Sequence, residues 1–271
     1  APFKTLAGFV SALKLVARLK PSLIISAGAY VSVPVAYAGY FFGIPIAIHQ
    51  QDKRQGLANQ LMWPIASLKT SVWAMKGART IGNFVRESIV EPPESSALAA
   101  LGIRKDRPVV LVTGGGTGAL LLNKLIVDAL PKLTKFSEVI HLTGEGKSLE
   151  VAMPGYHAFP FASSAMGELL NMADLIICRA GMGTLSELAR LSKSAIVVPI
   201  PNSHQEDNAR ELTNANAAEV VEGTTSAENL ARLVESLLAD EARRRKLGES
   251  LHRLIPNGRA AFINEAKKFL E

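Results

Sequence analysis

A chain of 271 residues, 48% of them hydrophobic and with a mean hydropathy of +0.19, can bury the cores of two ordinary domains, which excludes a disordered or low-complexity protein. The single cysteine, Cys178, excludes a disulfide framework and no Cys/His spacing suits zinc, so a reducing compartment fits; within Leu-Ile-Ile-Cys it reads as a small buried hydrophobe. The net charge of +6 conceals an asymmetry, because residues 1–86 hold ten Lys/Arg against one acid, Asp52, whereas the remainder holds 20 basic and 23 acidic residues.

Taken in chain order, Leu6, Phe9, Val10, Leu13, Val16 and Ala17 recur at helical spacing between Lys4, Lys14, Arg18 and Lys20, which predicts an amphipathic helix laid over a sheet. Its basic residues are dispersed, unlike those of a signal peptide, and the opening Ala-Pro-Phe-Lys leads to the expectation that the chain starts within a domain. Short apolar runs at Ser22–Ser26, Pro45–His49 and Ser71–Met75, separated by crossover-helix lengths, predict a parallel α/β sheet. Val31 to Ile48 is the longest apolar region, but Pro34, Gly39, Gly43 and Pro45 interrupt it, so it is not expected to span a membrane.

The run Glu91-Pro-Pro-Glu-Ser-Ser-Ala97 predicts a linker, dividing a partial first domain, 1–91, from a second, 92–271, whose last helix is a candidate to pack back on the first. Strands are predicted at Pro108–Thr113, Glu138–Leu142, Leu175–Cys178 and Ala195–Pro199, alternating with helices and ending in charged helices after Ala227. A basic first part suits an anionic bilayer or a nucleic acid. With four Tyr, two Trp and no nucleic-acid-binding motif, the membrane surface is the expected partner and nucleic acid is not.

Four strand-to-helix turns could carry chemistry. Thr113-Gly-Gly-Gly-Thr-Gly118 places backbone N–H groups at a helix start, where an anion is favoured, although a tight βα connection would use the same glycines. In Arg179-Ala-Gly-Met-Gly-Thr-Leu-Ser-Glu-Leu-Ala189, Gly181 and Gly183 free backbone for a close ligand, Thr184 is a candidate cap, and Glu187 either accepts ribose hydroxyls or merely stabilises the helix start. Pro199-Ile-Pro-Asn-Ser-His-Gln-Glu-Asp-Asn208 gathers amides and hydroxyls at a sheet's carboxyl edge, with Gln205 and Asn208 suited to sugar hydroxyls or to helix capping. Ser26 to Pro34 and Ile48 to Asn59 are the other two turns. His49, at a strand end, could be a base, a hydrogen-bond partner or simply packed.

In order and spacing these segments resemble the MurG family of glycosyltransferases over almost the whole chain. The likeness rests on Ala27-Gly-Ala-Tyr-Val-Ser-Val-Pro34, Gly43-Ile-Pro-Ile-Ala-Ile-His49, Gln55-Gly-Leu-Ala-Asn59, Gly82-Asn-Phe-Val-Arg86, Gly114 to Asn123, Ala173 to Arg179, Gly183 to Ala189 and His204-Gln-Glu-Asp-Asn-Ala209. The resemblance implies an α/β, GT-B fold, with two Rossmann-like domains facing a cleft and the first domain incomplete. It also implies inverting transfer of N-acetylglucosamine from UDP-N-acetylglucosamine to undecaprenyl-pyrophosphoryl-N-acetylmuramyl-pentapeptide, from lipid I to lipid II, in peptidoglycan synthesis. Its implied partners are that donor, the lipid-linked acceptor and an anionic membrane, at the cytoplasmic face of the bacterial inner membrane.

By the same resemblance Arg86 and the turn at Gly115 and Gly116 lie near the donor diphosphate with Gly181, Gly183 and Thr184, Glu187 takes the ribose, Gln205 and Asn208 the sugar, and Ala162 the uracil. Asp52 falls on the donor side as well, and Tyr30 and His49 on the acceptor side; no metal or other cofactor is implied. The family's proposed base is a His in an N-terminal glycine-rich loop that this chain does not contain, which leaves His49 as a secondary candidate and poor transfer as the expectation. Two further departures are His49-Gln-Gln-Asp52 where the family has His-Glu-x-Asn, and Gly116 where it has Ser. Other UDP-sugar enzymes of this fold, glycolipid transferases or epimerases, and a non-catalytic nucleotide-binding Rossmann protein are the alternatives.

Overall fold

A computed structural model describes residues 2–90, 103, 106–115, 119–147, 151–162 and 165–270, with the side chains of 2–6 excepted. The chain forms two compact units, Ala1–Phe84 with Asn257–Glu271, and Val85–Pro256. The predicted linker, 91–97, lies outside the described residues.

The first unit opens with α1 (Pro2–Leu19), where Pro2 sits in the first turn and sacrifices no helical hydrogen bond. The helix ends as Lys20 turns to φ 44° and donates its N–H to Val16 O, just before Pro21. Then follow β1 (Ile24–Ser26), α2 (Ser32–Phe41), β2 (Ile46–Gln50), α3 (Leu57–Met62) with a 3-10 turn Trp63–Ile65, β3 (Leu68–Ser71) and β4 (Arg79–Thr80). The sheet order is β1-β2-β3-β4, all parallel. Every residue of β2 is buried, as a strand covered on both faces requires. Ile46 and Ile48 pack on Ala12 and Val16 of α1 and Ala36 and Ala38 of α2, while Ala47 meets Leu68, Ile81, Phe262 and Ala266.

The predicted strand Ser71–Met75 is corrected. The strand is Leu68–Ser71, and the chain then turns, with Val72 N–H donating to Gln50 O at 3.0 Å and Ser71 Oγ to Trp73 O at 2.8 Å. Val72 and Trp73 are buried in a loop, and burial rather than extension accounts for their hydrophobicity.

The second unit contains α4 (Glu87–Val90), β5 (Val109–Thr113), α5 (Leu120–Leu133), β6 (Glu138–Leu142), β7 (Tyr156–Phe159), α6 (Met166–Met172), β8 (Leu175–Cys178), α7 (Met182–Arg190), β9 (Ala195–Val197), α8 (His204–Asn214), β10 (Glu219–Val220), α9 (Ala227–Ala239) and α10 (Glu241–Leu254). Its six parallel strands are ordered β10-β9-β8-β5-β6-β7, and β5, β6 and β8 are buried throughout. Cys178 is fully buried and burial pushes its thiol up to about 12. The short strands β7 and β10 are not among those predicted. The last helix, α11 (Arg259–Lys267), belongs to the first unit, where Phe262 and Ala266 cover Ala47.

Helix α10 crosses the turn after α7 so closely that a Cβ on Gly248 would overlap the Ser192 carbonyl, a backbone group that cannot swing aside. Gly248→Ala should therefore lower unfolding stability by about 1–3 kcal/mol, as overpacking does, and denaturant titration reads this directly. An unchanged midpoint would show that α10 slides freely on that turn.

Candidate functional site

Strands β5 and β8 are neighbours although β6 and β7 intervene in sequence, so the strand order reverses between them, and loops leaving their carboxyl ends diverge around a crevice. Thr113 pairs with Cys178, so the Gly114 turn and the Arg179–Gly181 turn leave the sheet side by side. Gly115 holds φ +80°, a conformation that suits glycine, and its N–H donates to Thr113 Oγ1 at 3.2 Å. Gly116 lies outside the described residues.

Helix α7 starts from Gly181, whose extended backbone (φ −81°, ψ 133°) makes it the N-cap without a side-chain cap bond. The start of a helix, where backbone N–H groups lack intrahelical partners, suits an anion. The expectation that Thr184 caps this helix is corrected: it stands inside the first turn, because Gly181 already supplies the cap conformation. A Cβ at Gly183 would meet no protein atom within 4 Å.

These turns border a cavity of about 250 Å³. Its lining includes Gly115, Gly183, Thr184, Arg86 and Glu187, together with an apolar set, Leu142, Phe161, Ala162, Met166 and Leu170. Arg86 Nη2 donates to Glu187 Oε1 at 2.8 Å, with the Arg86 side chain 61% exposed and that of Glu187 16%. The structure thus brings together Arg86, Gly115, Ala162, Gly183, Thr184 and Glu187. The apolar wall, above all Phe161 and Met166, is a part of the site that sequence reasoning missed. Its signal was the alternating Tyr156-His-Ala-Phe159 that forms β7 and delivers Phe161 to the carboxyl edge.

Gly181, Gln205 and Asn208 do not line the cavity. Asn208 is fully buried and its Nδ2 donates to Ala180 O at 3.0 Å, whereas Gln205 Oε1 accepts Ile200 N–H at 3.2 Å. Arg179, also buried, donates from Nη1 to Val198 O at 2.9 Å and Pro199 O at 3.1 Å. Together these bonds fasten the turn after β8 to the loop after β9. Ser203 caps α8 by accepting from Gln205 N–H, with Glu206 and Asp207 in the favourable first turn.

Beneath the cavity wall, Asn123 of α5 donates to Thr143 O at 2.9 Å and Lys147 O at 3.1 Å, holding the loop that supplies Gly144. Its Oδ1 lies 3.1 Å from His141 Nε2, and His141 Nδ1 lies 3.0 Å from Tyr156 Oη. A neutral ring satisfies both contacts, donating from Nε2 and accepting from the tyrosine hydroxyl. Burial lowers the His141 pKa to about 4, which holds that form.

Tyr30, His49 and Asp52 lie in the first unit. Tyr30 is exposed on the turn after β1. His49 is buried, with Nδ1 3.0 Å from Thr70 Oγ1, Nε2 3.2 Å from Asn83 Oδ1, and its ring against Phe84 and Phe262. Burial lowers its pKa, partly offset by the Asn83 bond. The Asp52 carbonyl accepts from Gln50 Nε2 at 2.6 Å, and Gln50 also accepts from Asn59, whose side chain fills the space beneath Gly28. Gly28 holds φ +97°, and a Cβ there would come within 2.8 Å of Asn59 Nδ2.

The glycosyltransferase family 28 C-terminal domain profile matches residues 109–257, and the glycosyltransferase family 28 N-terminal domain profile matches residues 1–68. A Clostridium kluyveri protein named UDP-N-acetylglucosamine–N-acetylmuramyl-(pentapeptide) pyrophosphoryl-undecaprenol N-acetylglucosamine transferase is 30% identical over 98% of this chain and 76% of its own length. A Staphylococcus carnosus protein of the same name is 30% identical over 92% of this chain and 72% of its own. The crystal structure of Acinetobacter baumannii MurG superposes with a TM-score of 0.77 at 25% identity, over 98% of this chain and 79% of that one. That likeness and the two parallel sheets bear out the α/β, GT-B fold class.

Because His141 has a folded pKa near 4 against 6.5 for the free side chain, the unfolded chain binds more protons between those values. Stability should fall as pH drops through 6.5 and level off below about 4, with His141 accounting for at most about 3 kcal/mol and His49 acting in the same direction. The check is an NMR titration of the His141 ring. A midpoint near 6.5 would contradict it.

Proposed function

The chain belongs to the MurG family of glycosyltransferases, and we propose that it transfers N-acetylglucosamine from UDP-N-acetylglucosamine to undecaprenyl-pyrophosphoryl-N-acetylmuramyl-pentapeptide, forming lipid II from lipid I in peptidoglycan synthesis. The observation that carries the donor assignment is the cavity at the β5/β8 switch point, which is lined by Gly115, Gly183 and Thr184, a cation, Arg86, a carboxylate, Glu187, and apolar side chains. In this assignment the uracil lies against Phe161 and Ala162, Glu187 accepts the ribose hydroxyls, and the diphosphate lies at the start of α7 beside Gly115 and Arg86. Asn208 acts on the sugar side by fixing the turn that carries Gly181, and Gln205 by holding Ile200 in the loop after β9, roles that their hydrogen bonds to backbone support.

The acceptor hydroxyl attacks the anomeric carbon opposite the diphosphate. A new C–O bond forms as the bond to the β-phosphate oxygen breaks, the configuration inverts, and the electron pair leaves on UDP. Backbone N–H groups at the start of α7 and the Arg86 guanidinium stabilise the charge that grows there. The hydroxyl proton passes to a general base on the acceptor side. His49, its nitrogens engaged by Thr70 and Asn83, supports the acceptor-side wall in this proposal. In the same proposal Tyr30 contacts the acceptor and Asp52 lies on the donor side, as the resemblance implies.

We further propose that the protein works as a peripheral protein on an anionic membrane, at the cytoplasmic face, and does not bind nucleic acid. Residues 1–86, at about +9, lie almost wholly in the first unit, and Leu19, Tyr40, Phe41 and Phe42 are exposed there. Among the described residues no helix is long and apolar enough to cross a membrane.

Glu187→Ala should weaken UDP binding at least about tenfold, since one charge-assisted bond of about 1.5 kcal/mol already accounts for that factor. Unchanged affinity by calorimetry would remove the ribose assignment. The protein should also co-sediment with anionic vesicles more than with neutral ones, and less as salt rises, at about 1 kcal/mol per basic group near the surface. Equal sedimentation with both, indifferent to salt, would assign the basic residues another purpose.

A further inference from the structure

The donor assignment gives Arg86 and Glu187 different parts of the ligand, phosphate for the cation and ribose for the carboxylate, yet in this structure they bond to each other. Arg86 Nη2 occupies Glu187 Oε1 at 2.8 Å, in a cavity that both residues line. A ribose diol that uses both carboxylate oxygens meets that N–H at Oε1, and must either share the oxygen's lone pairs with it or displace it. A nucleoside carries nothing to attract the guanidinium elsewhere, so it competes with the ion pair for Oε1. A diphosphate carries charge that meets the guanidinium at the neighbouring glycine turn, and Arg86, long and 61% exposed, can turn to it without repacking a core. Glu187 is the better fixed partner, 16% exposed and part of helix α7.

Resting on the donor assignment above, we infer that Arg86 masks Glu187 from nucleosides and releases it to ligands that carry a diphosphate. Arg86 is then a specificity-determining residue as well as a phosphate contact, and the carboxylate becomes available for ribose when phosphate arrives. The attraction that favours UDP and the obstruction that disfavours uridine come from the same side chain.

The experiment titrates uridine and UDP, by ligand-observed NMR and calorimetry respectively, into the wild-type chain, Arg86→Ala and Glu187→Ala. Arg86→Ala is expected to bind uridine about three- to fivefold more tightly, the worth of a partly exposed ion pair, and UDP about tenfold more weakly. Added salt should strengthen uridine binding by the wild type and leave that of Arg86→Ala unchanged. Uridine binding to Arg86→Ala that is equal or weaker would overturn the inference, showing that the pair organises Glu187 for ribose instead of masking it. Glu187→Ala separates the two levels. If it weakens both ligands while Arg86→Ala gains nothing, only the masking falls; if it weakens neither, the ribose assignment falls with it.

Discussion

The parallel pairing of β5 with β8, with Thr113 opposite Cys178, is the constraint on which the second unit's site depends. Both strands are buried along their whole length, so their carboxyl ends cannot shift without disturbing the core of Val110, Val112, Leu175 and Ile177. Two turns that are 65 or more residues apart in sequence are thereby held side by side, since Thr113 and Cys178 are 65 positions apart. Helix α7 then starts, from the glycine N-cap Gly181, at the crevice this creates. No single glycine makes the site; the register of two strands does.

Buried polar side chains hold the surrounding loops in place. Arg179 and Asn208 bond backbone carbonyls on either side of the β8 and β9 ends, and Asn123 with His141 does the same beyond β6. Removing such groups from water is costly unless their bonds are made, so each one disfavours conformations in which its loop moves away. Above these buried bonds, the Arg86 side chain at the cavity is 61% exposed and paired with Glu187.

Much of this was legible in the sequence, for reasons tied to particular residues. Leu175–Cys178 is a strand with the predicted bounds because a fully buried strand of a parallel sheet is continuously apolar, and Glu138–Leu142 keeps its predicted bounds although it buries Glu138 and His141 among Val139, Ile140 and Leu142. The cavity gathers Gly115, Ala162, Gly183, Thr184 and Glu187 because the segments that follow strands of a parallel sheet share one edge, so motifs read separately there become neighbours, and Arg86 joins them from the segment before α4. What sequence did not show was pairing. That Asn208 donates to Ala180, or that Arg86 meets Glu187 across 101 positions, depends on long-range geometry that spacing does not encode. The misassigned strand at Ser71–Met75 has the same origin, because Val72 and Trp73 owe their apolar character to burial in a loop.

The position of Cys178 has a practical consequence. It is the chain's one cysteine, sealed in β8 with a thiol held up to about 12, so at neutral pH it offers almost no thiolate to an alkylating reagent. A second cysteine placed at an exposed position such as Tyr40 or Leu57 would therefore be the one to take a maleimide fluorophore or spin label. Distances and solvent exposure can thus be followed spectroscopically in the otherwise native chain, without first replacing the residue that lies opposite Thr113 in the β5–β8 ladder.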